Sequence, residues 1–429
     1  MENSRTRSTQ NLLLQDDELE HQHAGQESVQ SSRLGESPKV IAIFCSFGFM
    51  ACFTAGIILT SAEDILANNS TEQTGMVWVV YSIPFIVFTA FIAWSFDRVS
   101  TDIFIVAFFP LMVFGIVLLV LPKVTWLKLV GVFLIGTVDC TSEIAALALT
   151  AYFDKIAIMA FGIGSGFSYV LSPLYYTAMT SWFQIHPKIV LMTLALHPVG
   201  FLSGYALLEK RRDKCRFQSL LSTNIKTLEA TDFLPLKTKL RQTCVLLPAI
   251  MEIFLSFLFN DVVVSGITTS IVFKNSPFSP ADHYKYYMLS SFAGLCLGRA
   301  YLGIVELIKP GWADKILIRR TWLLVALAMC HMIILVLASI YRFLPNVWVT
   351  MILVFSLGFW SEAVFTNITV ILGEQEDSRV RELSLGMSVY GISLGNLVGS
   401  VLAKYIEKPL VAHCISALKS VRLCFTRNL

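Results

Sequence analysis

Hydrophobic runs of membrane-crossing length follow one another through this sequence, and they limit what it can fold into. Eleven stretches of mostly apolar residues lie at about 40–59, 76–95, 103–121, 126–150, 156–180, 188–207, 243–272, 284–305, 321–340, 346–370 and 383–403. About 20 residues at a rise of about 1.5 Å cross roughly 30 Å of hydrocarbon, where a helix satisfies its own backbone hydrogen bonds. With 55% hydrophobic residues, 15% charged residues and a mean hydropathy of +0.66, the chain falls outside the soluble class. A net charge of +3, spread over loops, gives no footprint for nucleic acid. The expected fold is all-α: a polytopic membrane protein of about 11 transmembrane helices in two bundles.

The division into two comes from one interruption. Residues 208–241 carry Lys210, Arg211, Arg212, Lys214, Arg216, Lys226, Lys237, Lys239 and Arg241. Lys and Arg resist translocation, so this reads as a basic cytosolic linker between a bundle of six spans (38–207) and one of five (242–404). Substrate sites in such two-bundle carriers lie near mid-membrane between the halves. Residues 1–37 are polar and read as a disordered cytosolic N-tail without a signal peptide. Leu12-Leu13-Leu14 beside Asp16 and Asp17 is a weak match to a dileucine sorting signal for cytosolic trafficking partners. The tail 405–429 is basic and reads as a possible interfacial helix, with Leu410, Ile415, Leu418 and Leu423 against lipid.

Orientation follows from the loops. With the N-terminus in the cytosol, 19 Lys and Arg fall on the cytosolic side against 6 on the other. The first outer loop lacks both and holds Asn68-Asn69-Ser70-Thr71, two overlapping glycosylation sequons usable only on the lumenal or extracellular side. Asn367-Ile368-Thr369 lies inside a span and reads as meaningless for glycosylation. Eleven crossings would leave the C-terminus outside, yet its basic residues argue otherwise, and the two readings stand side by side. Phe96-Asp97-Arg98 faintly matches the acidic–basic pair of major-facilitator loops.

The residues that point to function are ionisable groups inside spans, each costing about 2.5–3.5 kcal/mol if it faced lipid. Asp139 and Glu143 stand four apart on one helical face, and Arg299 lies at a depth like that of Glu143. A Glu143–Arg299 ion pair between the halves is geometrically possible; the alternative has Arg299 snorkelling and Glu143 pairing locally. Glu252, Asn260 and Asp261 polarise the seventh span and Glu362 the tenth. His197 and His331 read as satisfied core histidines, and Asp64 as a helix-end residue. Cys45, Cys52, Cys140, Cys244, Cys296 and Cys330 read as small buried hydrophobes, with no metal spacing. Gly391, Gly395 and Gly399 form a small-residue ridge, while Gly162, Gly164 and Gly166 serve packing or a hinge.

Several segments carry a family likeness: Ser61-Ala62-Glu63-Asp64-Ile65-Leu66, Glu143-Ile144, Leu149-Thr150-Ala151-Tyr152-Phe153, Gly162-Ile163-Gly164-Ser165-Gly166, Phe259-Asn260-Asp261, Tyr286-Tyr287, Ala293-Gly294, Arg299 and Gly391-Ile392-Ser393-Leu394. In this order they resemble the battenin family of lysosomal membrane proteins, in patches over residues 40–404. The resemblance implies a lysosomal multi-pass protein of major-facilitator-like fold, distantly similar to equilibrative nucleoside transporters. It implies roles in lysosomal pH and in moving small polar metabolites, glycerophosphodiesters or basic amino acids. It also implies that Glu143 and Arg299 match the family's Glu and Arg, and Asn260 the Asn of its Asn-Gln pair. Departures are Ala51-Cys52 in place of two asparagines, Asp261 in place of Gln, Glu362 in place of a small residue, and no prenylation box. The expected partners are the lipid bilayer, a small polar metabolite and protons. No cofactor and no metal are implied, and no enzyme constellation stands out. The alternative classes are a non-transporting scaffold that recruits cytosolic partners and a nucleoside-type carrier.

Overall fold

The computed structural model describes residues 35–66, 75–95, 101–122, 124–208, 234–274, 276–279, 283–418 and 424. The dileucine-like stretch, the sequons at Asn68 and Asn69, Phe96-Asp97-Arg98 and most of the basic linker lie outside the described residues.

The described chain forms long helices: α1 Pro38–Thr60, α2 Gly75–Ser95, α3 Thr101–Val120, α4 Thr125–Leu149, α5 Lys155–Thr177, α6 Pro187–Leu207, α7 Leu236–Val262, α8 His283–Ile308, α9 Trp322–Tyr341, α10 Val347–Leu372 and α11 Ser378–Leu418. Among the described residues, ten helices are long and apolar enough to cross a membrane, and α3 adds the shorter apolar stretch Val106–Val120. Large apolar side chains such as Phe91, Trp126, Trp182, Ile308 and Ile352 stand on outer faces, as lipid-facing helices require.

Packing repeats with a shift of six helices. In the first half α1 lies on α5 and α2 on α4; in the second α7 lies on α11 and α8 on α10. This is the parallel internal repeat of two-bundle transporters. The bundles meet along α5 with α8 and along α2 and α4 with α11.

Glycines explain the tightest of these contacts, because helices in lipid associate by close backbone approach rather than by a hydrophobic drive. A side-chain carbon at Gly164 of α5 would overlap the Cys45 carbonyl of α1, and one at Gly48 the Phe161 carbonyl. The ridge on α11 packs as expected: a Cβ at Gly391 or Gly395 would lie 2.8 or 2.7 Å from the Ile250 or Phe254 carbonyl of α7. Gly162 and Gly166 turn toward α8, where a Cβ would lie 2.8 Å from the Arg299 carbonyl and 2.7 Å from that of Cys296. Of the two readings of the glycine run on α5, close packing has geometric support.

Several expectations need correction. Residues 236–241, assigned to the linker, are the first turns of α7, and Lys239 is buried with its Nζ donating to the Trp94 carbonyl at 2.6 Å. The final span does not end at 403, since α11 continues to Leu418 through Pro409. At about 1.5 Å per residue it is roughly 60 Å long, so its end projects past the hydrocarbon. Leu410, expected against lipid, is buried among Val262, Leu335 and Val354 because this extension folds onto its own bundle. Cys414 and Cys424 form a disulfide. Cys244 and Cys330 are exposed on outward helix faces rather than buried. His331 is half-buried, its Nδ1 beside the Leu327 carbonyl at 2.8 Å, so it is not enclosed in the core.

Candidate functional site

The polar centre is built on Arg299, which is 1% exposed in the third turn from the end of α8. Its three nitrogens each have a partner. Nη2 meets Glu143 Oε1 of α4 at 3.1 Å, Nη1 meets Glu362 Oε2 of α10 at 3.1 Å, and Nε donates to Ser165 Oγ of α5 at 3.0 Å. Phe365 lies under the guanidinium, 4.1 Å from its ring centroid. Tyr169 Oη donates to the second oxygen of Glu362 at 2.7 Å. One guanidinium thus joins both bundles, and the acids come from α4 and α10, which the six-helix repeat makes equivalent.

Local sequence prepares this geometry. Gly162 and Gly166 let α5 approach the backbone of α8, bringing Ser165 and Tyr169, four apart on one face, onto Arg299 and Glu362. The planar fork of Arg suits two carboxylates at once. Two acids face one base, so with both carboxyls ionised the cluster would hold one negative charge in excess, in a place where an uncompensated charge is costly.

A second polar cluster lies inside the first bundle. Tyr81 Oη of α2 donates to Asp139 Oδ2 at 2.7 Å, and Asp139 is fully buried. His197 of α6 places Nδ1 3.0 Å from Thr54 Oγ1 of α1 and 3.8 Å from Asp139 Oδ1. Asp139 therefore turns toward α1, α2 and α6, while Glu143, one turn on, turns toward the second bundle.

The other carboxylates and Asn260 bond within the second bundle. Ser291 Oγ donates to Asn260 Oδ1 at 3.4 Å, and Asp261 accepts from Ser400 at 2.7 Å and Ser265 at 3.3 Å. Glu252 accepts from Thr321 Oγ1 at 2.5 Å. These partners hold α7 to α8, α9 and α11, and none of them belongs to the Arg299 cluster. Asp64 accepts from Tyr176 Oη at 2.5 Å. Asn367 is buried, with Oδ1 accepting from Ile318 N–H at 2.7 Å, so its sequon has no open side chain.

At the expected cytosolic face a further set of polar bonds ties the halves. Lys155 meets Asp314 at 2.9 Å and Glu374 at 3.4 Å and Tyr152 Oη donates to Glu382 at 2.7 Å across the halves, while Arg319 clasps Glu374 at 2.8 and 2.9 Å within the second half. The Arg319 hydrogen bonds and charge hold the Glu374 carboxyl below its ordinary range. A cavity of about 380 Å³ lies between the halves here, lined by Tyr152, Lys155, Glu374 and Arg381 among others.

Of the residues singled out from sequence, Glu143, Arg299 and Glu362 come together. Ser165, Tyr169, Phe365, Tyr81 and Thr54 were not anticipated, and His197, read as a satisfied core histidine, is buried but only partly satisfied, with Nε2 unbonded. Each sits on a helix remote in sequence from its partner, and the spacing of Ser165 and Tyr169 was the one local hint.

Comparison with known proteins agrees with this architecture. The family model described as CLN3 protein matches residues 42–234 and 221–413. Protein BTN1 of Yarrowia lipolytica is 24% identical over 391 residues, covering 88% of this chain and 96% of its own. Battenin of Canis lupus familiaris is 20% identical over 293 residues, covering 64% and 63%. Among solved structures, the human organic anion transporter MFSD10 superposes with a TM-score of 0.58 at 13% identity, covering 91% of this chain and 97% of that one. The Escherichia coli fucose:proton symporter superposes with a TM-score of 0.54 at 13% identity, covering 89% and 93%. The fold is that of major-facilitator transporters, and the chain belongs to the CLN3 (battenin) family of multi-pass membrane proteins.

Proposed function

We propose that this protein is a lysosomal carrier that moves a small polar metabolite by alternating access, with Arg299 as a charge lock between its halves. The observation that carries the proposal is one buried guanidinium held by an acid from each bundle, Glu143 and Glu362. The Arg299 bonds to Glu143 and Ser165 and the Tyr169–Glu362 bond cross from one half to the other and must break for the halves to part. Arg299 lies sixteen residues into α8, about 24 Å along the axis, so with the N-terminus in the cytosol the lock sits toward the cytosolic side. The Lys155–Asp314 and Lys155–Glu374 pairs reinforce the same side, and the arrangement fits a state closed toward the cytosol.

The chemistry allows two ways to open the lock. A phosphodiester would compete with the acids for Arg299, because guanidinium binds phosphate oxygens in pairs. A basic amino acid or a proton would compete with Arg299 for Glu143 and Glu362, and the excess acid favours this route. The sequence resemblance supports both substrate classes and a part in lysosomal pH. The solved neighbours, a fucose:proton symporter and an organic anion transporter, support small polar solutes in general. The reading is of a carrier and not of an enzyme. With eleven crossings the C-terminus is lumenal, and the Cys414–Cys424 disulfide supports that side because cytosolic thiols stay reduced.

Metabolite profiling of purified lysosomes with the wild-type protein, with Glu143→Gln and without the protein tests this reading. Accumulation of one class in both altered lysosomes supports it and names the substrate. Unchanged content in all three would sink the carrier and leave the scaffold reading.

A further inference from the structure

The cluster around Asp139 takes no part in the lock, and it contains two buried polar atoms that lack a bond. Asp139 Oδ1 and His197 Nε2 are both enclosed without a hydrogen-bond partner. The Thr54 hydroxyl stands beside the Asp139 carboxylate and 3.0 Å from His197 Nδ1, and the Met50 backbone lies beside the imidazole. Tyr81 fixes the other carboxylate oxygen, and the Phe201 ring lies parallel to the imidazole at 6.4 Å. An acid, a base and a hydroxyl that both donates and accepts are thus gathered from α4, α6 and α1.

We propose that Asp139, Thr54 and His197 form a proton-binding relay separate from the Arg299 lock. The relay holds one proton in either of two arrangements. In the first, His197 Nδ1–H donates to Thr54 Oγ1 and the Thr54 hydroxyl donates to the Asp139 carboxylate. In the second, protonated Asp139 donates to Thr54 Oγ1 and the Thr54 hydroxyl donates to neutral His197 Nδ1. The two interconvert when the carboxyl proton passes to Thr54 as the hydroxyl proton passes to His197, and nothing is gained or lost. With its single proton the trio is neutral overall, which burial favours, and a second proton makes it cationic.

The titratable groups facing the relay are few among the described residues. Tyr81 comes from α2, Cys52 from α1, and Cys140 and Glu143 from α4 itself, while α3 packs nearby with Phe108 and Met112. Glu143 is one turn, about 6 Å of rise, along α4 from Asp139. A proton gained by the relay is therefore felt at the acid that holds Arg299. This deepens the carrier reading and rests on it for the coupling; proton binding itself does not depend on transport.

The test is infrared difference spectroscopy of the purified full-length protein in nanodiscs, with protons as the probe, between acidic and neutral pH. Wild type should show the carbonyl band of a buried protonated carboxyl group. Asp139→Asn should lose that band, and Glu143→Gln should keep it. His197→Gln, which removes the base, should displace the band along the pH axis by about one unit or more. Thr54→Val keeps the shape and should leave the band while uncoupling it from His197. A band that survives Asp139→Asn would overturn the proposal. So would one whose pH dependence ignores His197→Gln, and that variant decides the matter if Asp139→Asn does not fold. If the band behaves as expected while no condition yields transport, the carrier reading fails and the proton relay stands.

Discussion

The excess acid around Arg299 makes the three charges unequal, and substitution should expose the difference. At an effective dielectric constant near 20, each carboxylate about 4 Å from the guanidinium centre attracts it by about 4 kcal/mol. The two acids, on the order of 7 Å apart across the fork, repel by about 2 kcal/mol on the same basis. Glu143→Gln gives up one attraction, removes the repulsion and spares one carboxylate its desolvation. The remaining Arg299–Glu362 pair is neutral, so the net cost should be no more than about 1–2 kcal/mol. Arg299→Gln removes both attractions and leaves two buried acids, in the range of about 3–5 kcal/mol found when a buried partner is deleted. Thermal denaturation of the purified protein in detergent, followed by size-exclusion chromatography, should rank Arg299→Gln as far less stable. Glu143→Gln and Glu362→Gln added together to Arg299→Gln should restore much of the loss. Equal destabilisation by Glu143→Gln and Arg299→Gln would refute the claim that acid is in surplus.

Other substitutions test the packing, the polar bonds around Glu374 and the C-terminal staple. Gly164→Val should abolish well-folded protein, because the new side chain overlaps the Cys45 backbone, and monodispersity on chromatography reads this directly. Glu374→Gln should raise the cytosol-side accessibility of a cysteine placed in the cavity beside Tyr152, with little loss of stability, since exposed pairs contribute about 0.2–1 kcal/mol. Because the Glu374 carboxyl is held below its ordinary range, its contribution is present in full above the unfolded value of about 4.3 and is lost as pH falls through the lower folded value; the same accessibility assay should stay flat from neutral pH down to about 5. Cys414→Ser should free Cys424 for labelling by a membrane-impermeant maleimide applied from the lumenal side, whereas both thiols of the unreduced wild type should resist it.

The sequence by itself determined the membrane class, the eleven helices and their two groups. Hydrocarbon tolerates only long apolar helices, and apolar length is a local property that a single chain displays residue by residue. It also marked Glu143, Arg299 and Glu362 as worth explaining, since a charge at lipid depth needs a partner. The partners themselves were decided by tertiary structure. The approach of α5 to α8 at Gly162 and Gly166 put Ser165 and Tyr169 onto the central charges, and the convergence of α1, α4 and α6 put Thr54 and His197 beside Asp139. Asn260, Asp261 and Glu252 looked the same in sequence, yet local hydroxyl groups satisfy them within one bundle. The burial of Lys239 and the extension of α11 were hidden for a related reason. Charge and proline mark helix ends on average, but contacts made by a neighbouring helix outweigh both.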